Sequence, residues 1–135
     1  MRFVAISLVI VLVLAGLGTA QDPVLSVAGS GLPGTPLIFT VTGSAEVNQV
    51  AFLGISPLPG ATSFGWVTMD LAWPILACGM GSLNQGFARH PVMVPKDWPP
   101  MLTIAMYAQA LVVKPAGAGY QYVKTSVVMF WVRGE

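Results

Sequence analysis

The single histidine and the serines are the residues whose types could support nucleophilic catalysis. That chemistry needs a base beside the nucleophile and a third group that orients the base. His90 is the only histidine, and Asp97 follows it across a segment that contains Pro91 and Pro95. No serine stands in a Gly-x-Ser-x-Gly elbow. We therefore expect His90 to be a solvated or structural residue, and we expect the protein not to be an enzyme.

Acidic residues and metal ligands are equally sparse. Glycoside hydrolysis needs two carboxylates that flank one bond, and the five acidic residues are isolated from one another or lie near the chain ends. One histidine and one cysteine cannot complete a zinc site, so we expect no metal and no cofactor. The segment GMGSLN at 79–84 begins like a dinucleotide-binding fingerprint but lacks the third glycine. We predict that it is a turn.

Aromatic rings supply a second chemistry, the stacking of sugars. Trp131 alternates within an apolar run and is expected in the core, whereas Trp98 lies between Asp97 and two prolines and is the ring expected to be exposed. Large rings also fill the core of a sandwich of this size. The candidate ligand-binding residues for a polysaccharide are Trp98, Tyr120 and Tyr122.

Cys78 is the one cysteine, so it has no partner within the chain. In an oxidising compartment such a thiol is either buried or pairs between chains. The apolar residues Ile75, Leu76 and Ala77 precede it and favour burial. An intermolecular disulfide through Cys78 remains the alternative.

The first twenty residues have the pattern of an export signal. Arg2 gives the positive start, an apolar run follows at 3–14, and Gly18, Thr19 and Ala20 form a small-residue cleavage site. We predict a signal peptide at 1–20 and a single domain at 21–135, secreted or held at the cell surface, with no stable transmembrane span after cleavage. A retained signal anchor is the alternative.

Charge is scarce in the predicted domain. Charged residues make up 8% of the chain, against about 25% in an average soluble domain. Without Arg2, five basic and five acidic residues remain, so the formal net charge of the domain is zero. The sequence has no cluster of basic residues that could bind along a phosphate backbone, so we expect no nucleic-acid binding. A neutral, charge-poor surface favours association between molecules.

The pattern of the domain predicts strands rather than helices. Val, Ile, Thr and aromatic residues come in short runs that Pro and Gly interrupt. The Pro-Gly pairs at 33–34 and 59–60 suit type II turns, and 115–119 is expected to be a hairpin tip. We predict an all-β antiparallel sandwich of Ig-like, Greek-key or jelly-roll type with seven to eight strands. The predicted strands lie at 24–28, 36–42, 49–56, 65–70, 72–78, 86–94, 102–113 and 122–132.

The last two predicted strands, 102–113 and 122–132, are largely apolar on both faces. They are therefore either central and covered on both sides or part of an interaction surface. If one face is exposed, Val128, Phe130 and Val132 are the candidate self-association residues.

Short turn and core segments mark the chain from Leu25 to Val132. They are LSVAG at 25–29, PGTPL at 33–37, AFLGIS at 51–56, NQGFA at 84–88, YAQA at 107–110, Pro115, and Thr125 with Ser126 before the closing strand. With these segments the chain resembles a small β-sandwich module, common and often C-terminal in exported proteins of environmental bacteria. An Asn expected before the closing strand is absent here. The resemblance implies the fold and a secreted setting, and it implies no catalytic residues.

Together these observations predict a secreted, non-enzymatic structural or interaction module. Its expected partners are further copies of itself or another cell-surface protein. A carbohydrate-binding module that presents exposed aromatic rings is the alternative.

Overall fold

The computed structural model describes residues 22–45, 48–65 and 67–134. The described part is built from ten strands, all paired antiparallel. The strands are β1 Val24–Ala28, β2 Pro36–Thr42, β3 Val50–Ser56, β4 Pro59–Phe64, β5 Val67–Leu71, β6 Leu76–Ser82, β7 Phe87–Met93, β8 Thr103–Ala116, β9 Gly119–Lys124 and β10 Val128–Arg133. The predicted all-β antiparallel sandwich is confirmed.

Two sheets face each other across one hydrophobic core. The smaller sheet has the order β1-β2-β7, and the larger has the order β10-β8-β3-β6 with β9 also paired to β8. Alternate side chains of each strand point inward, as the two-residue period of a strand requires. Phe39 of β2 and Phe130 of β10 meet edge to face at the centre, with ring centroids 5.2 Å apart. Such a pair adds about 1 kcal/mol to the free energy of unfolding beyond the area buried.

One long strand, β8, organises the larger sheet. Its first half pairs with β10 and its second half with β9, along the same edge. Residues 109–110 of β8 stand opposite 125–127, the segment that joins β9 to β10 and carries one extra residue. We call this segment the bulge, because an extra residue redirects side chains as it does in a β-bulge.

The hairpin of β4 and β5 forms a third layer on the outer face of the larger sheet. Met69 and Leu71 of β5 are buried between the hairpin and the sheet. Gly54 of β3 permits this close approach, because a Cβ there would lie 3.2 Å from the Leu71 Cδ1 atom. At the base of the hairpin, the buried Ser56 hydroxyl donates to the carbonyl oxygen of Ala72 at 2.5 Å.

Several local predictions differ from the structure. The predicted strand at 72–78 begins only at Leu76, because residues 72–75 form a bend with a cis Trp73–Pro74 bond. The predicted turn at 59–60 starts β4, which was not predicted. The predicted turn at 79–84 lies mostly within β6, where a bulge falls between the partners of Ala51 and Phe52. The predicted strand at 122–132 is divided between β9 and β10.

The turn prediction at 33–34 agrees with the structure. The amide of Thr35 donates to the carbonyl of Leu32, and Gly34 has a φ of 74°. A positive φ after proline is what a type II turn requires. The hairpin tip predicted at 115–119 is also present, between β8 and β9.

Candidate functional site

A polar cluster of Asp70, Gln109, Lys124 and Thr125 lies at the bulge, on the outer face of the larger sheet. Gln109 is fully buried; its Oε1 accepts from the Asp70 amide, and its Nε2 donates to Asp70 Oδ2 and to the Thr125 carbonyl, each at 2.8 Å. The Thr125 hydroxyl accepts from the Ala110 amide at 3.0 Å. The cluster ties the β4–β5 hairpin to β8 and to the bulge.

Lys124 completes the cluster at its solvent side. Its ammonium lies 3.0 Å from Asp70 Oδ1 and donates to the Thr68 carbonyl at 2.9 Å. Hydrogen bonds from Lys124 and then from Gln109 hold the pKa of Asp70 below its ordinary value, although partial desolvation opposes them. The carboxylate is therefore charged at neutral pH and holds both Lys124 and Gln109, so Asp70 links the hairpin to β8 and to β9.

Beside the cluster lies an apolar groove of about 360 Å³, here called the outer groove. Its floor is the outer face of the larger sheet, with Phe52 and Leu111 among the floor residues, and the β4–β5 hairpin supplies Phe64, Val67 and Met69. Among the described residues that line it, the Tyr122 hydroxyl is the only side-chain polar group. The groove is therefore suited to an apolar ligand.

At Val67 and Tyr122 the groove adjoins a second, smaller hollow. Thr68 and Lys124 complete the lining of that hollow. Lys124 pairs across the sheet with Leu111, so its side chain starts beside the groove floor. The apolar groove thus opens next to a charge-balanced ion pair.

A second apolar surface lies on β10. Met129 and Trp131 point outward and are 50% and 45% exposed, and their cross-strand neighbours are Tyr107 and Ala105. We call Met129 and Trp131 the β10 strip. The expectation that Trp131 belongs to the core is wrong.

The proposed self-association residues lie on the opposite side of the same strand. Phe130 and Val132 are 8% and 7% exposed within the core, and Val128 packs against that core. They cannot form an exposed contact surface in this fold. Both faces of the strand are apolar. The face that is exposed carries Met129 and Trp131, each one residue away from the predicted set.

The candidate sugar-binding rings are in different environments. Trp98 is half-buried against the core, and its indole Nε1 donates to the Leu102 carbonyl at 2.8 Å. The prediction that it is the exposed ring is therefore wrong. Tyr120 and Tyr122 are exposed on the same face of β9, two residues apart. Trp73 is more exposed than either, while Trp66 lies outside the described residues.

His90 and Cys78 lie on strands of opposite sheets. His90 is half-buried on β7, opposite Phe39 of β2. Cys78 lies on β6 opposite Leu53 of β3 and packs partly buried against the core. Burial raises the pKa of its thiol, so the reactive thiolate form is disfavoured.

In residues 22–45, 48–65 and 67–134, no group of three or more His, Cys, Asp or Glu side chains is placed to hold a metal ion. Within those same ranges, no helix is long and apolar enough to cross a membrane. The predicted signal peptide at 1–20 lies outside them.

Fold and surface together define an antiparallel β-sandwich with a hairpin layer added to one sheet. Comparison of the chain with protein-family models, with curated proteins and with solved structures finds no match.

The sequence patterns did not predict the outer groove. Its residues come from β3, β4, β5, β6, β8 and β9, and no local pattern joins them. The one available signal was Gly54, a glycine inside an apolar strand. Such a glycine often marks the close approach of another backbone or a ligand.

Proposed function

We propose that the protein is an exported, non-enzymatic interaction module that self-associates through the β10 strip. The observation that carries this proposal is the outward exposure of Met129 and Trp131 side by side with Tyr107 across the strand pair. Exposed aromatic and methionine side chains are enriched in protein contact surfaces.

Charge supports a second copy as the occupant of this surface. Arg133 is the only charged residue on β10, and the residues after the predicted cleavage site have a formal net charge of zero. Two copies therefore meet without long-range repulsion. In a two-fold contact the same strip serves both partners, so Met129 and Trp131 of one copy pack against those of the other.

The test uses Trp131→Lys and Met129→Lys, with Trp73→Lys as the matched control on another exposed apolar side chain. Light scattering after size exclusion measures the molar mass over a range of concentration. We expect each strip variant to weaken the dimer roughly 30-fold, which corresponds to about 2 kcal/mol for a central aromatic contact. The control should keep the dimer. Unchanged assembly in both folded strip variants would refute the proposed contact.

A carbohydrate-binding role is the second candidate, and one observation favours it. Tyr120 and Tyr122 present two exposed rings on one face of β9, at the spacing of about 7 Å that alternate strand residues have. Trp98 does not belong to this pair, because it lies half-buried against the core.

Binding to insoluble polysaccharides tests this role in a sedimentation assay. Tyr120→Ala should abolish retention, while Tyr120→Phe should preserve it because the ring remains available for stacking. Equal retention of both variants and the unchanged protein would exclude the Tyr120 platform.

A further inference from the structure

We propose that the outer groove binds a neutral amphiphile with a single short hydrocarbon chain, such as a medium-chain alcohol or ester. This site is separate from the β10 strip, so the inference goes beyond the proposed self-association. It rests on the size of the groove, the chemistry of its lining and the charge balance at its opening.

Size restricts the ligand. A volume of about 360 Å³ lies near the lower end of the range of about 300–1,000 Å³ for small-molecule sites. A single chain or ring fits such a space better than a multi-ring molecule does. The groove is also preformed in this fold, since Leu71 and Met69 of the hairpin are buried against the sheet.

The lining determines the chemistry of the buried part. Phe52, Phe64, Val67, Met69 and Leu111 present apolar atoms, and Phe52 and Phe64 are both exposed. Covering these rings with a hydrocarbon chain removes apolar surface from water, which is favourable by about 25 cal/mol per Å². A sugar would leave its hydroxyls without partners there, at a cost in free energy.

The opening determines the chemistry of the head group. Lys124 and Asp70 form an ion pair beside the groove floor, so the opening carries no net charge. An ammonium has three N–H donors, and Lys124 uses two of them on Asp70 and the Thr68 carbonyl. The third can donate to a hydroxyl or ester oxygen. An anionic head would instead face Asp70, and a cationic head would face Lys124.

Three probes of equal chain length test the inference: octan-1-ol, octanoate and octylammonium. The protein is purified after export with ¹³C-labelled methionine methyl groups, and each probe is titrated below its aggregation concentration. Met69 lines the groove, so its methyl resonance should shift, whereas that of the exposed Met101 should not. We expect octan-1-ol to bind at least fivefold tighter than either ion.

Variants locate the site independently of the resonance assignment. Ala77 lines the groove and is exposed, so Ala77→Trp fills the space and should reduce octan-1-ol affinity at least tenfold. Ala116→Trp, at the exposed tip of the β8–β9 hairpin, is the matched control and should bind normally. Trp131→Lys should also bind normally, which separates this site from the self-association contact.

Three results would overturn the inference. If no probe shifts the Met69 methyl group, or if Ala77→Trp binds octan-1-ol as well as Ala116→Trp does, the groove is not the site. If octanoate or octylammonium binds tightest, the ligand class is wrong because the ion pair then does not exclude a charged head.

Discussion

At the scale of single residues, Gln109 engages both polar atoms of its buried side chain. Its partners are the amide and carboxylate of Asp70 and the carbonyl of Thr125, which lie on separate elements. Removing such a side chain leaves backbone groups without partners, and each buried unsatisfied group costs about 1–3 kcal/mol. Gln109 is therefore expected to stabilise the hairpin, the bulge and β8 together.

Gln109→Leu should lower the free energy of unfolding by about 2–4 kcal/mol, because the Asp70 amide and the Thr125 carbonyl lose their partner. Urea denaturation measures this change. Gln121→Leu, at an exposed position on β9, is the control and should stay within about 0.5 kcal/mol of the unchanged protein. Equal stability of the two variants would show that the buried amide does not hold the layers together.

The Asp70 carboxylate should make stability depend on acidic pH. Lys124 and Gln109 lower its pKa in the folded protein below the ordinary value of 3.8. A lowered folded pKa contributes stability that is fully present above the unfolded pKa and is lost as pH falls through the folded value. Both Asp70 and Lys124 are well exposed to solvent, so screening keeps this contribution small.

Unfolding measured by urea between pH 7 and pH 2 checks this sign. Asp70→Asn should be less stable at neutral pH and should approach the stability of the unchanged protein as the pH falls through the lowered folded pKa of Asp70. Asp22→Asn, at an exposed residue, is the matched control for the loss of one negative charge. Parallel profiles for Asp70→Asn and the unchanged protein would contradict the assigned ion pair.

At the scale of elements, the β4–β5 hairpin creates the outer groove by lying on β3. Gly54 sets the distance between them, since a Cβ there would lie 3.2 Å from Leu71 and 3.3 Å from Ile75. Overpacking a tight contact typically costs about 1–3 kcal/mol.

Gly54→Val should therefore destabilise the protein by about 1–3 kcal/mol and displace the hairpin. The measurement is thermal unfolding together with the chemical shift of the Met69 methyl group. Gly79→Val is the matched control on the neighbouring strand, where a Cβ meets no atom within 4 Å. If both variants shift the Met69 methyl group equally, Gly54 does not position the hairpin.

Strand patterns predicted the sandwich but not the side of β10 that faces the core. Residues 36–42 alternate between a fully apolar and a mixed face, so their inward side could be predicted. In β10, Met129 and Trp131 are as apolar as Phe130 and Val132, and only packing against Phe39 distinguishes the two faces.

The groove could not be predicted because its walls depend on contacts between distant strands. The sequence PGATSF of β4 has small and polar residues and a Pro-Gly pair, which indicated a turn rather than a strand. The hairpin pairs β4 with β5 and is held by Ser56 and Gln109 from other elements. Local propensity carries no information about such long-range hydrogen bonds.

At the scale of the whole molecule, the proposed self-association depends on a charge-poor sandwich with apolar surface on the outer face of one sheet. The formal net charge after the predicted cleavage site is zero, and the β10 strip contributes exposed apolar area without a charge. Cys78 does not contribute to this surface, because it packs partly buried against the core. Association is therefore expected to be non-covalent.

The most direct test is the molar mass of the purified protein without residues 1–20, measured by light scattering over a wide concentration range with and without reductant. We expect a dimer that dissociates on dilution and is unaffected by reductant. A monomer at every concentration would contradict self-association. A dimer that reductant abolishes would assign the contact to a Cys78 disulfide instead of the β10 strip.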